Sequence, residues 1–154
     1  MPKVRLYTVE EAERTLPLVR RIVGDIVKTF GEREKQIVER QKLGPTPTPG
    51  SNSEERAFAL ENDIDAKAAE IGRFHQELEA MGVELKDVRI GLIDFFSRYD
   101  GRVVYLCWKL DEGDTLAWWH DLNGGFRGRQ PITPRNRPRF KGLDPGEKFV
   151  ELKS

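Results

Sequence analysis

The sequence is poor in the residues from which recognisable sites are usually built. It has one cysteine, two histidines and two methionines in 154 residues. The lone Cys107 cannot close an intramolecular disulfide, so the fold does not depend on an oxidising compartment. There is no C-x-x-C, no H-x-x-x-H and no nucleophile elbow, so no motif fixes a chemistry. Nowhere do about 18 apolar residues follow one another, the least a membrane helix needs. The first residues, M-P-K-V-R-L-Y-T-V-E-E, contain no apolar run of signal-peptide length. A soluble, cytoplasmic protein with no membrane partner is therefore expected. Excess charge is missing too: 26 basic residues balance 26 acidic ones, so no whole-molecule field draws the chain to nucleic acid.

What is present is unevenly spread. Hydrophobic residues make up 38% and charged residues 34%, a balance that suits long, solvent-flanked helices. A chain of this length is expected to be a single domain, residues 1–154, with a real core. The basic residues Arg127, Arg129, Arg135, Arg137, Arg139 and Lys141 crowd a stretch without acidic ones, which leaves the rest of the chain net acidic.

Val4–Tyr7 reads as a short edge strand. Thr8 and Glu11 have the spacing of a capping box, so a helix starts there. Pro17 either splits this helix, with an end near Arg14 and a restart at Pro17, or kinks it. Leu16, Val19, Ile22, Val23, Ile26, Val27 and Phe30 then form one apolar stripe. Residues 44–53, with three prolines and two glycines, make a loop. Asn52 or Ser53 is the expected cap of a second helix, whose stripe includes Leu60, Ile64, Ile71, Phe74 and Leu78 and which stops at Gly82. The pattern predicts an antiparallel helical hairpin over 9–43 and 53–81. It is longer than any sheet the rest can form, so its loop end projects, and a second copy would complete its seam. His75 lies on or beside the seam, with Glu79 the one other ligand type a helical turn away.

A β-meander is expected over 83–122, with a short strand at Val83-Glu84-Leu85 and longer runs at Gly91–Phe96, Arg102–Leu110 and Thr115–His120. Asp100-Gly101 is a two-residue hairpin turn. It pairs Tyr99 with Arg102 and sets Asp94 opposite Cys107 and Phe96 opposite Tyr105. A four-residue second loop sets Tyr105 opposite His120; a two-residue loop sets Cys107 there. Side chains alternate with period two, so Ile93, Phe95, Val104, Leu106, Trp108, Ala117 and Trp119 share an apolar face toward the hairpin. Leu92, Asp94, Phe96, Tyr105, Cys107, Lys109, Leu116, Trp118 and His120 share a mixed face. Glu112 is expected on the apolar side, as a turn residue rather than a partner of Cys107.

Asp94, Cys107 and His120, with Tyr105 beside them, are the candidate ligand or metal site. Three readings are open. Thiolate, imidazole and carboxylate are all zinc or iron ligands, and three protein ligands leave an open position. Alternatively Cys107 is a nucleophile with His120 as base and Asp94 orienting it. Or the cysteine is a buried small hydrophobe and the polar pair is structural. The C-terminal arm, 123–154, is read as a strand-like strap over the sheet, its arginines solvated or paired to the acidic helices. Its Arg-Gly-Arg also faintly suggests minor-groove binding. Residues 148–152 read as a last strand.

The blocks T-V-E-E-A-E-R-T-L-P-L-V, V-E-L-K-D-V-R-I-G-L-I-D-F, V-Y-L-C-W-K-L-D-E, W-W-H and G-F-R-G-R-Q-P-I together resemble an uncharacterised bacterial family, domain of unknown function 2203. The resemblance runs from about Leu6 to Ile132, and residues after Thr133 look like an extension. The chain departs from the family pattern at Phe96, where a proline is expected, and at Asp111, where a glycine is. The family implies no activity. Its blocks coincide with Asp94, Cys107, Trp108, Glu112, His120 and Arg129. The expected fold is α+β, a helical hairpin packed on a small, mostly antiparallel sheet with a basic arm. The expected function is interaction or ligand binding with a homodimer formed through the hairpin; a metal-dependent or thiol enzyme, and nucleic-acid binding by the arm, are the alternatives.

Overall fold

The computed structural model describes residues 1–152. Helix α1 (Val9–Lys42) opens as its sequence dictates: the Thr8 hydroxyl accepts from the Glu11 amide at 3.0 Å, and the Glu11 carboxylate accepts from the Thr8 amide at 2.9 Å. It passes through Pro17 as one element, so the break near Arg14 does not occur. Proline there removes one i→i−4 bond, to the Glu13 carbonyl. Leu16 and Val19 on either side are fully buried, and their packing holds the turn. Helix α2 (Asn52–Ala80) is capped by Ser51, not by Asn52 or Ser53. Ser51 Oγ accepts from the Glu54 amide and Glu54 returns a bond to the Gly50 amide, each at 3.2 Å. The S-x-x-E spacing that selects Ser51 was in the sequence.

The two helices form the hairpin, and at 34 residues α1 is roughly 51 Å long. The longest strand has eight residues, about 27 Å, so the loop end extends past the sheet. There Ala57 and Leu60 are buried while Val38 and Phe58 stay exposed, and Arg40–Glu61 at 2.8 Å and Arg56–Glu39 at 2.6 Å cross between the helices. No helix among the described residues is long and apolar enough to cross a membrane.

Strands β2 (Val83–Asp87), β3 (Leu92–Tyr99), β4 (Arg102–Lys109), β5 (Trp118–Asp121) and β6 (Gln130–Pro131) lie in that order in one antiparallel sheet. Gly91, at φ +66°, turns the chain into β3 against α1, where a Cβ would stand 2.7 Å from Val23. Asp100 and Gly101 have φ of 50° and 76°, the left-handed pair of a tight hairpin turn. Tyr99 pairs with Arg102, and the ladder runs through Asp94–Cys107 to Leu92–Lys109. Beyond β4 the expected alternation fails. Leu110–Glu112 is a 3-10 turn and β5 begins only at Trp118, so period two does not reach Leu116 and Ala117. Leu116 is in the hairpin-facing core, drawn there by its amide bond to Glu13 Oε2 at 2.8 Å, while Ala117 is exposed. From Trp118 on, the four-residue-loop register holds, with Tyr105 opposite His120.

The hairpin covers one face of the sheet, burying Ile93, Phe95, Val104, Leu106, Trp108 and Trp119 with the stripe of α1. The other face is covered by the two ends of the chain. Strand β1 (Lys3–Val4) pairs with β8 (Val150–Glu151), and Val4 and Leu6 pack on Phe96 and Tyr105. Strand β7 (Phe140–Lys141) joins β3 at Arg98–Tyr99. Phe140, by contrast, is buried in the hairpin-facing core, its ring 4.7 Å from that of Tyr99. A Cβ on Gly142 would lie 2.5 Å from Glu11 Oε1, so the arm rests directly on the start of α1. Phe96 pairs with Tyr105 in the ladder and its carbonyl accepts from the Tyr7 amide at 2.8 Å, and the turn's positive φ falls on Gly113, not Asp111.

Candidate functional site

Asp94 on β3, Cys107 on β4 and His120 on β5 occupy adjacent positions across three strands of the mixed face. One ligand atom from each lies within 4.8 Å of the others, and all three residues are at most 2% exposed. The imidazole is held at both nitrogens. Nδ1 is 2.7 Å from the Asp121 carbonyl oxygen, and a carbonyl only accepts, so Nδ1 carries the hydrogen. Nε2 faces Asp94 Oδ1 at 3.1 Å. Two acceptors cannot face each other at that distance, so a proton or another cation must lie between them. Burial opposes the imidazolium, but the Asp94 hydrogen bond and charge and the Asp121 carbonyl together raise the His120 pKa above its ordinary value. In the metal-free protein a proton joins His120 Nε2 to Asp94 Oδ1.

Cys107 is a protonated thiol in this setting. Burial raises its pKa, the neighbouring Asp94 charge raises it further, and Arg129 opposes both. The hydrogen-bonding arrangement also differs from that of a thiol–imidazole–carboxylate triad. There the base turns one nitrogen to the thiol and the other to the carboxylate. Here one nitrogen of His120 is on Asp94 and the other on the backbone.

Tyr105 adjoins the group through its ring, 5.2 Å from that of His120. Its hydroxyl points elsewhere, donating to Glu84 Oε1 at 2.8 Å and accepting from Lys86 Nζ at 3.2 Å. Burial, with Glu84 second, pushes the phenol up to about 12. A cavity of about 130 Å³ borders Asp94 and His120, with Leu92, Tyr105, Leu122 and Phe126 among its walls. That is space for a few water molecules or a small ligand. A larger depression, about 520 Å³ along Glu34–Lys42, is lined mainly by charged and polar side chains of the helix surface.

Glu112 lies on the opposite side from the one parity suggested. Arg129 bonds both of its carboxylate oxygens, at 2.6 and 2.7 Å, and stacks 5.0 Å from the ring centre of Trp118. Trp118 pairs with Cys107, so this nearly buried ion pair sits on the mixed face. A turn frees the carboxylate from strand parity, which is why alternation misplaced it. The coincidence of both residues with the family blocks was the signal available. Glu84 and Lys86 were also missed, although Glu84 pairs with Asp94 across β2 and β3.

Within the arm, Arg137 pairs with Glu10 and Glu13 of α1 and Arg139 with Asp100. Arg127, Arg135 and Lys141 are exposed. His75 is far from the cluster in role, 3.7 Å from Glu79 on the same helix.

The family model for DUF2203, an uncharacterized conserved protein, matches residues 5–132. No curated protein and no solved structure matches the chain.

Proposed function

The chain belongs to the DUF2203 family, and we propose that it binds one divalent transition-metal ion, zinc or iron, through Asp94, Cys107 and His120. The carrying observation is the fixed imidazole. A metal-bound histidine characteristically gives its other N–H to a carbonyl or carboxylate, and His120 Nδ1 already does so. That leaves the Nε2 lone pair directed at a carboxylate, with a thiol close by. Ligand bonds of 2.0–2.3 Å at tetrahedral angles put donor atoms about 3.4–3.7 Å apart. The cluster reaches that spacing by small side-chain movements. Imidazole, thiolate and carboxylate together suit zinc best, with iron next.

Three protein ligands leave one coordination position, and the cavity beside Asp94 and His120 is where a small exchangeable ligand would reach it. An ion held there would act as a Lewis acid toward an oxygen ligand. A ligand-binding protein, or an enzyme acting on a small oxygen-containing molecule, follows from that arrangement. The test is elemental analysis of tag-free protein together with cobalt(II) titration. Near one ion per chain is expected, with a thiolate-to-cobalt absorption band that disappears in Cys107→Ser. Protein that takes up neither zinc nor cobalt, or a band unchanged in Cys107→Ser, would sink the proposal.

A further inference from the structure

The sheet has two unequal ends. At one end, β6 is two residues long and includes Pro131, which blunts it as a pairing edge. At the other, β2 is five residues without proline, and among the described residues no strand pairs with its outer side. A register shift between Leu85 and Asp87 also leaves Lys86 without a partner on β3. Beside this edge, on the hairpin side, runs a groove of about 480 Å³ with apolar walls from Phe30, Ala68, Ile71, Leu85 and Val88, whose lining also includes Gly72, His75 and Lys86. Ala68 and Gly72 lie one helical turn apart on α2, so the groove wall is low between Ile71 and His75. A Cβ on Gly72 would meet nothing within 4 Å.

The charges at this edge identify the occupant. Along β2 the order is Glu84-Leu85-Lys86. If two copies pair antiparallel about a two-fold axis through Leu85, each Glu84 stands opposite Lys86 of the partner subunit. Both charge pairs are then favourable cross-strand neighbours. Within one chain, Glu84 and Lys86 already pair at 3.1 Å, and both are partly exposed. They can exchange partners without leaving a charge unpaired. The same axis brings the two grooves together, so the apolar walls beside the edge cover each other. A C2 interface requires this self-complementarity.

We propose that β2 and the adjoining groove form the contact with a second copy of this chain, joining two sheets into one through antiparallel β2 strands. The proposal does not rest on the metal reading, although Lys86 also borders the cavity beside Asp94 and His120. Sedimentation of the full chain from low to high micromolar concentration tests it. A dimer is expected. Glu84→Lys and Lys86→Glu should each raise its dissociation constant at least about tenfold through like-charge opposition. The double reversal Glu84→Lys/Lys86→Glu should restore it. Gly72→Gln guards against misfolding as an explanation, because glutamine favours helix over glycine. It should raise the melting temperature of the dilute monomer while weakening the dimer. A wild-type monomer at high micromolar concentration would overturn the proposal, and would leave the edge to an extended segment of another protein. So would a dimer indifferent to the single reversals, or a double reversal as weak as either single one.

Discussion

On the hairpin side of the sheet, Ile93, Phe95, Leu106, Trp108 and Trp119 meet the apolar stripe of α1 and nothing else is asked of them. On the other side, Asp94, Cys107 and His120 lie equally deep, but among Tyr105, Phe96 and the two chain ends. Similar depth therefore rests on different physics. The first face is stabilised by transfer of apolar area from water, about 25 cal/mol per Å², and any well-fitting apolar set would serve. The second buries a carboxylate and an imidazole, which costs free energy unless each charge is matched. A fold that needed only a core could have filled the second face as it filled the first.

Breaking the apolar face should have the largest effect. Trp108 is fully buried and its indole N–H donates to the Gly113 carbonyl at 2.9 Å. Trp108→Ala removes a large core side chain and leaves that carbonyl unpaired. A loss of about 4 kcal/mol is expected, read as a lower urea midpoint. The elemental-analysis result should be unchanged in whatever fraction remains folded.

Breaking the mixed face should cost less and show a different signature. Asp94→Ala leaves His120 Nε2 buried without its partner, at about 3 kcal/mol. Unlike the tryptophan change, it should also abolish cobalt uptake. If Asp94→Ala were as mild as a surface substitution, below about 0.5 kcal/mol, the buried charge pair would not be what distinguishes this face.

The two faces were not equally legible in the sequence. Asp100-Gly101 allows only a tight turn, and one turn sets the parity of every residue on β3 and β4, so the pairing of Asp94 with Cys107 followed directly. For His120 the sequence left two partners open, Tyr105 or Cys107, according to the length of the second loop, and the structure pairs it with Tyr105. The hairpin was visible for a similar reason, since a 3.6-residue period persists over a long segment. What was hidden lies where no period operates. Leu116, Ala117 and Glu112 sit in an irregular connection whose path is set by Glu13 and Arg129, and both partners are distant in sequence. The role of Phe140 was hidden as well. Nothing local says that a residue in a proline- and arginine-rich tail stacks on Tyr99 and Trp119.

The smallest effect is the one whose sign discriminates best between a proton and a metal at the Asp94–His120 contact. In the metal-free protein the His120 pKa is raised on folding. The folded state then binds a proton more tightly than the unfolded chain, whose histidine titrates near 6.5. The stability this contributes is fully present below that value and is lost as pH rises through the folded-state pKa. Metal binding reverses the dependence, because Cys107 must lose its proton and His120 must be neutral before either can be a ligand. Melting followed from pH 6 upward should therefore fall for metal-free protein and rise for protein with zinc present. His120→Gln should flatten the first trend. Parallel slopes with and without zinc would mean that the metal, if bound at all, lies somewhere other than between Asp94 and His120.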